Sequence, residues 1–150
     1  MMNNHSNRLW RAAVVGLIVV AGACGGGDDG GGAANKGDWE KEYAAIVKSV
    51  SDDIDRSVQA LNAGQRPVVL SECTQLQEDL VDAKKAVPVP DGTVDAALRS
   101  AFDVTTKAVN TCVDGARIAS DADKIEEAQA QMKTARETYS AAQDAIAAWD

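Results

Sequence analysis

Between residues 125 and 149 the side chains Ile125, Ala128, Met132, Ala135, Tyr139, Ala142, Ile146 and Trp149 recur at steps that alternate strictly between three and four. That interval keeps one stripe on one face of an α-helix, the pattern that seats side chains into a facing helix. The residues before it read the same way. From about Trp39 to Asn62 the stripe is Trp39, Tyr43, Ile46, Val47, Val50, Ile54, Val58 and Leu61. Asp38 is the expected N-cap, with Glu40 and Glu42 at the positive end of the helix dipole. Ala63-Gly64-Gln65-Arg66 ends this helix, and Pro67 suits the first turn of the next. The second helix carries Val69, Cys73, Leu76, Leu80, Ala83 and Val87. Pro88-Val89-Pro90-Asp91-Gly92 stops it, because neither proline can continue the hydrogen-bond ladder. A third helix follows, with Val94, Leu98, Ala101, Thr105, Ala108, Cys112, Ala116 and Ala119 inward and Phe102 and Val109 beside them. Ser120 or Asp121 is expected to cap the fourth.

Four amphipathic segments joined by short links predict an all-α fold, an antiparallel up-down-up-down four-helix bundle. Many seam positions on helices three and four are alanine, so those two should pack closer than a leucine-rich pair. Small side chains also contribute little apolar area, so the core is thin for its length. An alternative keeps helix one loosely docked on a three-helix core.

The front of the chain has another character. Residues 1–11 carry Arg8 and Arg11 and no carboxylate, and residues 12–23, AAVVGLIVVAGA, form an unbroken run of apolar or small residues. A helix needs about 20 such residues to cross a bilayer core, so the run is too short for a permanent span. A basic start, a short apolar stretch and small residues at its end read as a secretory signal peptide. The competing reading, an apolar helix of the folded domain, has against it that no amphipathic pattern continues beyond the run.

The run ends in Ala21-Gly22-Ala23-Cys24. Here the chain resembles the bacterial lipoprotein signal peptides, whose lipobox places small residues before an obligatory cysteine; Ala21 stands where the family usually carries leucine or a similar aliphatic. The resemblance covers residues 1–24 and does not reach the rest. It implies cleavage after residue 23, diacylglycerol on the thiol of Cys24, and a protein held at the extracytoplasmic face of a membrane. Two or three acyl chains, at about 0.8 kcal/mol per buried CH₂, give a stable hold where one gives a marginal one.

Residues 25–37, GGGDDGGGAANKG, hold seven glycines and two aspartates. Such a segment reads as a flexible tether, spanning roughly 20 Å as a Gly-rich coil. The expected organisation is thus a signal peptide at 1–23, a lipidated cysteine and tether at 24–37, and a helical domain at 38–150. The chain has three cysteines, and an odd number in an exported chain asks for an explanation. With Cys24 given to lipid, Cys73 and Cys112 remain as a pair, both on inward stripes. At 1.5 Å per residue they lie about 21 and 27 Å from the proline-rich link, a mismatch that staggering can absorb. A disulfide joining helices two and three is expected in an oxidising compartment; two buried free thiols are the alternative.

The chemistry left to the mature chain is narrow. Its single histidine, His5, lies in the signal segment. Without it the commonest general base near neutral pH and the commonest transition-metal ligand are missing, and so are the Ser-His-Asp and Cys-His arrangements. No CxxC, P-loop or HExxH motif occurs. Asp52, Asp53 and Asp55, then Asp79 and Asp82, then Glu126 and Glu127 form acidic clusters without calcium-loop spacing. They read as a solvated face, with weak calcium contact as the alternative, and Asp52 with Arg56 as a surface pair. Trp39, Tyr43, Tyr139 and Trp149 read as a plug for one end of the core, or else as the lining of a ligand pocket. Removing Arg8 and Arg11 leaves 13 basic against 23 acidic side chains, a formal charge of −10, which repels nucleic acid and anionic headgroups. No nucleic-acid partner, cofactor, metal or catalytic residue is expected. The expected function is a non-catalytic binding or regulatory module of the cell envelope acting through protein contact; the alternative is a carrier of a small apolar ligand inside the bundle.

Overall fold

A computed structural model describes residues 35–118 and 122–150. The chain divides after Gly30, and the unit Gly31–Asp150 contains four helices: α1 Lys36–Ala63, α2 Arg66–Ala83, α3 Gly92–Arg117 and α4 Ala122–Ala148. The first helix starts ahead of its expected cap. Asn35, in extended conformation, is the N-cap; its Oδ1 accepts from the Asp38 N–H at 3.1 Å, and its Nδ2 donates to Asp38 Oδ2 at 2.8 Å. Asp38 is therefore the N3 member of a reciprocal cap, not the cap itself, since a side chain at N3 can reach back while Asn35 satisfies its N–H. The helix closes at Gly64, whose φ of 69° is left-handed. There its N–H reaches the carbonyls of Ala60 and Leu61, a conformation glycine adopts at little cost.

The second helix ends sooner than its apolar stripe. It gives way at Ala83 to a 3₁₀ turn, Lys84–Ala86, and Val87 is extended at φ −108°, ψ 140°. The residue before a proline is pushed out of the helical region, so Val87 leaves the stripe and Ala86 and Val89 are buried instead. Asp91 then caps α3, its Oδ1 accepting from Thr93 and Val94 at 2.8 and 2.9 Å. The expected caps Ser120 and Asp121, and Ala119, lie outside the described residues, as do Cys24 and almost all of the expected tether.

Cross-helix pairs show the helices alternating in direction. Ser49 meets Asp79 and Arg56 meets Glu72 between α1 and α2. Gln77 meets Asn110 between α2 and α3, Thr111 meets Gln131 between α3 and α4, and Val47 meets Tyr139 between α1 and α4. With Cys73–Cys112, Phe102–Tyr139 and Asp55–Arg136 as second pairs for the last three interfaces, the partner number falls as the first rises, so neighbours run antiparallel and the four helices close a ring, an up-down-up-down bundle. Helix α1 is not loosely docked: Trp39, Val50, Ile54 and Leu61 are essentially inaccessible to solvent. Cys73 and Cys112, both fully buried, form a disulfide between α2 and α3 with Cα atoms 6.2 Å apart. The free-thiol reading is excluded.

Candidate functional site

The aromatic residues separate into two groups. Trp39 is fully buried, and its indole Nε1 donates to the Ala86 carbonyl at 2.7 Å. Its ring centroid lies 6.1 Å from Tyr43 and 5.8 Å from Trp149, and Lys36 Nζ donates to the Trp149 carbonyl. This ties the start of α1, the 3₁₀ turn and the end of α4 into one plug. Tyr139 sits deeper, 6.2 Å from Phe102, and donates its hydroxyl to the Val47 carbonyl at 2.9 Å. Burial pushes its phenol well above the ordinary tyrosine range. A hydrogen bond and charge from Glu42 raise the Tyr43 phenol also.

Beside the plug is an apolar cavity of about 150 Å³, lined by Trp39, Ala44, Val47, Lys48, Gln143 and Ile146. Pockets for drug-sized ligands start at about 300 Å³. Of the four aromatic residues singled out in the sequence, Trp39 lines this cavity.

The acidic residues part company likewise. Asp52 pairs with Lys48 at 2.7 Å, Asp55 with Arg136 at 2.8 Å and Asp82 with Lys85 at 2.6 Å. Asp79 accepts from Ser49 and Gln75, and Glu127 from Gln131. These carboxylates lie at the surface or half-buried and hold their own helix or its neighbour.

Asp53 does not belong to that solvated face. It is 1 % exposed, and Ser57 one turn on is 0 % exposed. Arg56 pairs with Asp53, and its Nε lies 3.2 Å from Glu72 of α2; it does not serve Asp52, as its spacing led one to expect. The cause is helical phase. Asp53 is three residues after Val50 and next to Ile54, and Ser57 is four before Leu61, so both lie on the arc that the apolar stripe carries inward. The signal was present as two polar residues at stripe positions, but the run Asp52-Asp53-Ile54-Asp55 disguised it.

An open groove of about 300 Å³ adjoins this cluster, lined by Arg56, Gln59, Ala60, Ala63, Val68 and Glu72. Val68 is 42 % exposed there. One guanidinium is thus shared between two carboxylates, the buried Asp53 and the partly exposed Glu72. Among the described residues no group of three or more His, Cys, Asp and Glu side chains is placed to hold a metal ion, and no helix is long and apolar enough to cross a membrane.

Three further sets of contacts were not read from the sequence, two of them joining positions far apart in the chain. Arg66 donates to the Gly115 and Ile118 carbonyls, tying the start of α2 to the end of α3. Gln129 donates to the Leu61 carbonyl at 3.0 Å. Asp95 accepts from the Val89 N–H at 2.8 Å and from Arg99 Nε at 2.7 Å, which pins the proline-rich link to α3. Comparison with protein-family models, with curated proteins and with solved structures finds no match to this chain.

Proposed function

We propose that this chain is the precursor of a lipoprotein held at the extracytoplasmic face of a membrane through Cys24, and that its helical bundle is a non-catalytic binding or regulatory module of the cell envelope. The observation that carries the reading is the Cys73–Cys112 disulfide. It accounts for two of three cysteines and is at home in an oxidising compartment, leaving Cys24 alone at the end of a lipobox-like segment. The glycine-rich stretch after it is suited to a tether, and the bundle offers charged surface and a groove rather than histidine or thiol chemistry. The carrier reading draws less support, because the apolar cavity beside Trp39 is only about 150 Å³.

The test is Cys24→Ser in a bacterial host. The wild-type chain is expected to incorporate labelled fatty acid and to sediment with membranes; the variant should remain an unprocessed precursor without label. Normal processing and labelling of the variant would end the proposal.

A further inference from the structure

We infer that helix α1 is the lid of the Cys73–Cys112 bridge: a dithiol reductant reaches the sulfurs only when α1 lifts from the bundle, and the buried Asp53 and Ser57 set how readily it lifts. Such a redox-sensitive device lies beyond the anchored-module reading and does not depend on lipid at Cys24.

Both cysteines are 0 % exposed. Thiol–disulfide exchange needs a thiolate to attack one sulfur, so a bridge without access does not react however strong the reductant. The cross-helix pairs show what covers it. Arg56 of α1 meets Glu72, the residue before Cys73, so the turn of α1 that carries Asp53, Ile54 and Ser57 lies level with the bridge. Thr111 meets Gln131, which brings Met132 of α4 to the level of Cys112. Ile54 and Met132 are both buried. Because α2 and α3 are joined by the bridge itself, α1 or α4 must leave before a reductant can enter.

The two covering faces differ. On α4 the inward residues at this level, Ala128, Met132 and Ala135, are apolar and fully buried, and release would return all of that surface to water. On α1 the same level presents a buried carboxylate and a buried hydroxyl beside Ile54. Asp53 Oδ2 and Ser57 Oγ have no hydrogen-bond partner among the described residues. Groups of this kind cost free energy while buried and recover it when they meet water. The Arg56–Asp53 ion pair is internal to α1 and travels with it. The ties from this turn to other helices, Arg56 with Glu72 and Asp55 with Arg136, are ion pairs with partly exposed members, which water replaces at little loss. Tyr139 and Gln129 hold α1 on either side of the turn, at the Val47 and Leu61 carbonyls, so the lid is closed at rest. Release of α1 is the less costly opening.

With α1 away, exchange proceeds in two steps. A thiolate of the dithiol attacks one sulfur, forming a mixed disulfide and releasing the other cysteine, which takes up a proton. The second thiol of the reductant then resolves the mixed bond. The dithiol is oxidised to a disulfide by two electrons, and Cys73 and Cys112 are reduced to two thiols. The link between α2 and α3 is then gone, and the open chain is less constrained.

The experiment uses the full chain carrying Cys24→Ser in mild detergent, with dithiothreitol as the dithiol. Free thiols are trapped by alkylation and counted by intact mass against time, while amide hydrogen exchange is followed in parallel. The bridge of the folded protein is expected to be reduced roughly a hundredfold more slowly than that of the same chain in denaturant. Its opening constant should match that of amides 53–61 in α1 and exceed that of amides 101–112 in α3. Ser57→Ala should slow reduction roughly tenfold, because the closed lid no longer buries an unpaired hydroxyl. Ile54→Ala should speed it roughly tenfold or more by thinning the cover, and Ser57→Ala carries the test even if Ile54→Ala does not fold. Reduction as fast as in the unfolded chain, an opening constant that follows α4 or the whole bundle instead of α1, or faster reduction of Ser57→Ala would overturn the inference. None of these outcomes bears on the labelling of Cys24.

Discussion

The two antiparallel pairs of this bundle, α3 with α4 and α1 with α2, solve the same burial problem in opposite ways. Along α3–α4 many of the inward residues are small, around the larger Phe102 and Tyr139. Ala101, Ala108, Ala128, Ala135 and Ala142 are all fully buried. At Gly115 a Cβ would come within 3.1 Å of Lys124 Cβ and 3.2 Å of its backbone carbonyl carbon, so the helices approach as closely as a missing side chain permits. Along α1–α2 the seam contains a buried carboxylate and hydroxyl, Asp53 and Ser57, and an open groove beside them. Small apolar residues close a seam because nothing is left to hydrate; a buried charge holds one ajar because its partner must still reach it. The first pair is closed by small side chains, and the second keeps an open groove at its surface.

The largest effect should come from the disulfide, which lies between the two pairs. By the loop-entropy account a bridge spanning 39 residues contributes about 4 kcal/mol, against a total of about 5–15 kcal/mol for a small domain. The Cys73→Ala, Cys112→Ala variant should unfold at lower denaturant by a corresponding margin. Hydrogen exchange in that variant should then show α1–α2 opening before α3–α4. The reverse order would break the comparison, and an unchanged midpoint would show that the bridge adds no stability.

Next in size is Arg56→Ala, which strips a buried carboxylate of its cation and should cost about 2–3 kcal/mol. With Asp53→Leu in the same chain that cost should largely vanish, because no buried charge remains and only the partly exposed Glu72 is left without Arg56. A double-mutant cycle by denaturant unfolding measures this coupling; strict additivity of the two changes would remove Asp53 from its assigned role.

Somewhat smaller is the response to added volume. Ala135→Leu pushes apart two closely packed helices and should lose about 1–3 kcal/mol. Ala60→Leu, at the edge of the groove, has room and should be close to neutral. Thermal unfolding of the two variants sharpens the contrast directly, and equal losses would show the seams to be equally tight.

The smallest effect concerns acid. The Arg99 guanidinium, and then the Val89 N–H, hold the Asp95 carboxyl below the usual aspartate range against an opposing effect of burial. A depressed carboxyl contributes stability that is complete above its unfolded value and is lost as pH falls through the folded one. Asp95→Asn should therefore lower the midpoint slightly at neutral pH, and the gap from wild type should close in strong acid. A gap that persists there would show that the charge of Asp95 is not the source of its contribution.

Much of the architecture was legible because helical periodicity is a local property. The three-and-four spacing of Ile125 through Trp149 and of Val94 through Ala116 determined which faces turn inward, and Gly64, Pro67 and Pro88-Val89-Pro90 determined where helices stop. Inward phase on two neighbouring helices, with Cys24 assigned to lipid, led to the pairing of Cys73 with Cys112 that the structure contains. Local rules competed at the boundaries: Asn35 displaced Asp38 as cap because its Oδ1 accepts the Asp38 N–H, and Pro88 pulled Val87 out of the helix to which its hydrophobicity assigned it. The candidate site was not legible in the same way. Asp52, Asp53 and Asp55 are one residue type in one short run; helical phase turns the middle one inward, and the packing of the other helices on that face decides that it is dehydrated while its neighbours stay wet. The partner of Arg56 was likewise chosen in three dimensions, since Glu72 is 16 residues away along the chain and one helix away in space. Burial depends on what arrives from the other helices, and a single strand of sequence carries the phase of its own helix but not the identity of its neighbour.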